Sequence, residues 1–163
     1  MTIETKRDMF ERELQKLYHA ELEILDLHGD LSMAAGSQAI SEIFASHQDD
    51  TVTQIHRIES VFERLGQEPT ERGSAIMEGL LAEKDEFINE VEDDELRDLD
   101  VLSVGMINER LELTLLDRLL LLAADLDLPE EIGHALGTNR TEAANALQQM
   151  QSVLETTQSS SWQ

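Results

Sequence analysis

Three glutamates interrupt apolar helical stripes, and they are the residues of this chain best placed to do chemistry. Glu21 falls between Leu17 and Leu25 on one stripe; Glu109 lies near the middle of a later stripe, with Glu112 on its edge one turn on. A carboxylate facing a core needs a cation, a hydrogen-bond donor or a proton, because an unpaired buried charge is costly. Carboxylates converging between helices are also the donors that hard cations prefer. With 35 acids in the chain, some fall near a stripe by chance, so a solvated or salt-bridged reading stands beside the functional one.

A two-metal carboxylate bundle takes Glu from each of two helices and Glu-x-x-His from each of the other two. Counting back from the tight Gly36-Ser37 connection, Glu21 should face Asp49-Asp50-Thr51-Val52, which supplies acid but no His at the third position. Counting from Pro129, Glu112 should lie near 140–144, where the inward stripe reads Ile132, Leu136, Arg140, Ala143, Leu147, Met150. Its polar member is an arginine, which cannot ligate a metal but can satisfy a carboxylate with up to five donors. Arg140 is therefore expected to pair with Glu112 or Glu109. His19, His28, His47, His56 and His134 are scattered and read as surface or boundary residues. His28 shares the stripe of Glu21 but lies two turns away, too far for both to bind one ion on a straight helix. The chain has no cysteine, which removes disulfides, thiolate catalysis and Cys-based zinc sites. No nucleophile–base pair or phosphate-cradling glycine loop is readable, and no catalytic residue is assigned.

The elements that must position these acids are helices throughout. Apolar residues recur at helical spacing and no alternating strand pattern occurs. A first helix is expected from Glu4 to Ala35, with a kink at Gly29, and a second from Gln38 to Leu65, closed by Gly66 in a left-handed cap. A polar loop leads to a shorter helix from Ser74 to Val91, followed by an acidic connector, 92–95. A third long helix spans Leu96 to Asp127. The last runs from Pro129 to Thr157, with Asp127 as its cap. Two long helices, a long crossover holding a short helix, and two more long helices make an all-α, ferritin-like four-helix bundle. Residues 1–157 form the bundle and 158–163 a tail, with Trp162 a candidate anchor. The third long helix is apolar on two sides, through Met106, Leu113, Leu116, Leu120 and Ala123 on one and Val104, Leu111, Leu115, Leu122 and Leu126 on the other. A second apolar face calls for a second partner, the crossover helix or another subunit, and a homodimer is the preferred expectation.

Charge narrows the setting. Twelve Lys and Arg against 35 Asp and Glu give −23, which repels nucleic acid and anionic membranes, so neither is an expected partner. Lys6, Lys16 and Lys84 are the only lysines. At about 1 M salt the Debye length is roughly 3 Å and most self-repulsion is screened; an acid-rich, lysine-poor chain fits a halophilic cytosol. The first twelve residues are charged and lack a signal-peptide core, and the apolar run 119–124 is too short to span a bilayer, so a cytoplasmic location is expected.

Several segments together resemble the YciE/YciF-like family of ferritin-like proteins. Leu17-Tyr18-His19-Ala20-Glu21 is similar to its first-helix motif, His47 to Phe62 to its second helix, Met77-Glu78-Gly79-Leu80-Leu81 to its crossover segment, and Glu109-Arg110-Leu111-Glu112 to its third-helix stretch. The resemblance covers about residues 9 to 126. It implies a dimeric ferritin-like bundle, associated with stress responses, with a carboxylate-rich metal site to which Glu21, Glu109 and Glu112 correspond. Asp49 and Asp50 replace a longer Glu-Glu pair, Arg110 stands where the family has His, and Thr138-Asn139-Arg140 replaces an acidic cluster. Two function classes follow. In one, Glu21, Asp49, Glu109 and Glu112 bind iron or a similar metal and oxidise or store it. In the other, which the arginine favours, the site is vestigial and the protein is a non-catalytic, stress-associated bundle.

Overall fold

Local capping chemistry sets the helix ends. The computed structural model describes residues 2–161, with only the backbone for 158–161. Thr5 and Asp8 form a reciprocal capping box that starts α1, Lys6–Ala34. The Ser37 hydroxyl accepts from the Ile40 amide at the start of α2, Gln38–Arg64. The crossover carries α3, Ala75–Glu90. Asp93 accepts from the Leu96 amide and opens α4, Asp94–Asp125, so half of the expected acidic connector is helix. Acids in that first turn complement the helix dipole, which is why the helix reaches back to them. α5 runs Glu130–Ser161, past the expected end at Thr157. Among the described residues there is no strand, and no helix is long and apolar enough to cross a membrane.

Two expected features take other roles. Gly29 does not break α1, which is continuous over 29 residues. Asp127 does not cap α5; it adopts φ 51° and ends α4, while Gly66 ends α2 at φ 72° as expected. In both places the next amide reaches back to close the turn, Gln67 to the Phe62 carbonyl and Leu128 to that of Ala123. The expectation for Trp162 lies outside the described residues.

α1 and α2 form one antiparallel hairpin and α4 and α5 the other; the hairpins meet through α1 on α4 and α2 on α5, while α3 lies on α4 and touches α1. The wiring is that of a ferritin-like bundle with one long crossover. Asp98, buried on α4, accepts from the Gly36 amide at 2.7 Å and the Ser37 amide at 3.1 Å, pinning the α1–α2 turn. Gly36 is required there, since a Cβ would stand 2.5 Å from that of Asp94.

The interior holds two apolar cores. One gathers Phe10, Leu14, Leu17, Ile58, Phe62, Leu116, Leu119 and Leu136. The other gathers Ile24, Leu27, Leu31, Phe44, Met77, Phe87, Leu102 and Met150, with Val104 buried and Met106 and Leu111 packed against it. The second apolar face of α4 is thus covered within the chain, in part by α3, although Ile107 and Leu121 stay 54% and 63% exposed. Between the two cores lies a polar layer.

Candidate functional site

Glu21 on α1 and Glu109 and Glu112 on α4 all meet in that layer, each no more than 3% exposed. Glu112 lies within hydrogen-bonding reach of both others. Ionised carboxylates only accept, so a carboxyl–carboxyl hydrogen bond requires a proton on one partner. Burial raises the affinity of Glu21 for its proton well above the usual carboxylate range, and the neighbouring Glu112 adds to this. Glu109 is raised likewise, first by burial and then by Glu112, Glu21 and Asp50.

His28 completes the layer from α1. Its ring is 2% exposed, and burial, followed by the nearby His47, pushes its pKa down to about 3. The Thr51 hydroxyl donates to the His47 carbonyl at 2.8 Å, so toward His28 Nδ1, 3.1 Å away, it acts as acceptor. That assigns the proton of neutral His28 to Nδ1 and leaves Nε2 as a bare lone pair, 3.7 Å from Glu109 Oε1. Burial disfavours charge on both partners of this contact, lowering the pKa of His28 and raising that of Glu109. Burial also lowers the pKa of His47, against the opposing charge of Asp50. Asn108, fully buried, adds an amide with no protein partner among the described residues, as do Glu21 Oε2, Glu112 Oε1 and His28 Nε2.

Asp49, expected among the ligands, is exposed, because the inward stripe of α2 passes through His47, Thr51 and Gln54 and leaves Asp49 and Asp50 outside it. Arg140 is also misplaced by the sequence reading. Its side chain is 43% exposed and binds Asp117 on the surface. The α5 stripe steps three residues from Leu136, so Asn139 turns inward, where it donates to the Gln54 carbonyl and accepts from Arg57. Among the described residues no arginine pairs with Glu109 or Glu112.

The Tyr18–Glu59 and His28–Thr51 contacts fix the register of α1 and α2, and Arg140–Asp117 that of α4 and α5. A two-metal centre does not fit this donor set: α1 and α4 present their acids, but among the described residues the buried polar side chains of α2 are His47, Thr51 and Gln54 and that of α5 is Asn139, so neither helix buries a Glu-x-x-His pair. Among the described residues no three His, Asp or Glu side chains form a metal-holding group.

Two participants escape a stripe-by-stripe reading. His28 reaches Glu109 across the bundle and need not reach Glu21 along its own helix. Glu13, 2% exposed, accepts from Arg12 at 2.9 Å and Arg118 at 3.0 Å, an internal carboxylate–arginine pairing of the kind expected further along the bundle. Its signal is legible in hindsight, since Glu13 sits beside Leu14 on the stripe between Phe10 and Leu17.

Comparison with known proteins agrees with this fold. A family model described as a domain of unknown function, DUF892, matches residues 5–161. Protein YciF of Escherichia coli is 30% identical over 127 residues, which are 77% of this chain and 76% of that protein. Among solved structures, YcfI of Rhodopseudomonas palustris superposes with a TM-score of 0.88 at 27% identity, covering 91% of this chain and 94% of that one. The Escherichia coli stress protein YciF superposes with a TM-score of 0.91 at 24% identity, covering 97% and 99%. The chain belongs to the DUF892 family.

Proposed function

We propose that this member of the DUF892 family is a non-catalytic, stress-associated bundle protein whose central acid layer is reduced from a two-metal site and held neutral by protons. The observation that carries the reading is that Glu21, Glu109 and Glu112 are buried together, while among the described residues the buried positions of α2 and α5 offer no acid to complete a two-metal ligand set. Likeness to YciF, a stress protein, and to YcfI, to which a structural role is ascribed, supports the assignment.

One rival has an observation in its favour. The unpartnered Glu21 Oε2, Glu112 Oε1 and His28 Nε2 are atoms that a single cation such as iron would satisfy. In that reading Glu21, Glu109 and Glu112 hold one ion, which the protein oxidises or stores. Metal analysis after purification in high salt, followed by ferrous-iron titration of wild type and Glu109→Ala, separates the two. The proton-held reading predicts no stoichiometric iron in either protein. Stoichiometric iron in the wild type that disappears in Glu109→Ala establishes the rival.

The setting proposed is a cytoplasm of molar salt, supported by the charge of −23. The fold is expected to loosen below about 0.5 M salt as screening fades; an unchanged melting temperature in dilute buffer contradicts the halophilic part. Self-association as a homodimer belongs to the same proposal, supported by the exposed Ile107 and Leu121, about four turns apart on one side of α4.

A further inference from the structure

We propose that the cleft between the first half of α1, the start of α3 and the middle of α4 binds a small carboxylate with an aliphatic body. The cleft has a volume of about 180 Å³. That is below the roughly 300–1,000 Å³ of sites for larger ligands, so its occupant is small. Its apolar lining includes Met77, Leu111 and Leu115, and its charged lining sets Arg12, Lys16 and Arg118 against the single acid Glu13. In a chain where 35 acids face 12 cations, a local surplus of positive charge needs an explanation.

The surplus is real at the level of individual donors. Arg12, through Nε and a terminal nitrogen, and Arg118, through one terminal nitrogen, all converge on a single oxygen of Glu13, Oε1. One carboxylate therefore answers two guanidiniums, and further N–H donors on both remain for a ligand. Lys16 adds a third positive charge with no acid partner among the described residues. The Ser74 hydroxyl also lines the cleft and makes no cap bond to α3. Such a lining favours an anion, and guanidinium groups match a carboxylate in geometry as well as charge. The apolar lining selects an anion with a hydrocarbon body over an inorganic ion, and the enclosed volume is too small for a folded partner. The site shares no residue with the central acid layer and does not rest on its assignment.

Hexanoate, acetate and hexylammonium serve as probes, titrated by calorimetry at constant ionic strength in potassium chloride and mapped by amide shifts. Hexanoate is expected to bind one site with shifts at the α1–α3–α4 cleft. Acetate should bind at least roughly tenfold more weakly, because each buried methylene contributes about 0.8 kcal/mol, and hexylammonium should not bind there. Lys16→Gln, which breaks no internal ion pair, should weaken hexanoate roughly tenfold. Glu109→Gln should leave hexanoate binding unchanged, which keeps this test separate from the central layer. No hexanoate binding, equal binding of hexanoate and hexylammonium, or full affinity in Lys16→Gln overturns the proposal.

Discussion

Glu13 and Glu21 lie on the same helix about two turns apart, each 2% exposed, yet their charge is met in opposite ways. Glu13 sits between two arginines. Glu21 meets another carboxyl, Glu112, and among the described residues no cationic side chain. The first is a buried ion pair whose arginines keep part of their length in water, so desolvation is limited. The second is buried beside another carboxyl, and burial first of all raises its hold on a proton. Burial alone thus does not mark a functional carboxylate; the chemical identity of its neighbours does.

Stripping the arginines breaks that contrast most severely. The double variant Arg12→Ala, Arg118→Ala leaves Glu13 buried without a partner and should cost about 3 kcal/mol in urea unfolding at fixed high salt. Either single variant should cost less, since one guanidinium remains and the Arg118 side chain is 43% exposed.

Replacing the central acids by amides should act in the other direction. Glu21→Gln and Glu109→Gln preserve shape and remove the need for a proton, so each should stabilise the fold by about 1–2 kcal/mol near pH 8 and by little near pH 5. Both wild-type carboxyls are raised above the ordinary value of 4.5. Their contribution is therefore fully present below that value and is lost as pH rises toward the raised one. His28, lowered from 6.5 to about 3, works oppositely: its contribution is complete above 6.5 and is lost as pH falls toward about 3. A decline in wild-type stability above pH 6.5 that vanishes in the amide variants isolates the glutamates. Destabilisation by either amide across the whole range would show that the carboxylates are held by an unseen cation.

The smallest effect belongs to Arg140→Ala. Its pairing with Asp117 is between two exposed side chains, and urea unfolding at fixed high salt should barely change. A loss near that of the Arg12, Arg118 double variant would restore an internal role for Arg140.

Particular residues show what the sequence could and could not convey. Glu21, Glu109 and Glu112 were legible because an acid inside an apolar stripe is conspicuous, and the bundle was legible because helix periodicity is local. Asp49 lies two residues from both His47 and Thr51 and so takes the outer face of α2, whereas Arg140 misses the inner face of α5 by a single residue. A helix of 3.6 residues per turn alternates steps of three and four, and an error of one residue rotates a side chain by about 100°. On α5 that error exchanges Asn139 for Arg140. Two turns of α1 separate His28 from Glu21, whereas its neighbour Glu109 lies across the bundle on α4. Contacts between Glu13 and Arg118 join residues far apart in the chain, and no stripe reveals such a pair without the helix register.

Carbon-13 NMR titration of the Glu21 and Glu109 side-chain carboxyls in metal-free protein at high salt tests the proton-held layer most directly. Both carboxyl signals should remain at the protonated position at pH values where the exposed glutamates have fully ionised, and they should stay unchanged on adding ferrous or calcium ions. Ionisation of either group in the ordinary carboxylate range, or a shift of both on adding one equivalent of metal, would contradict it.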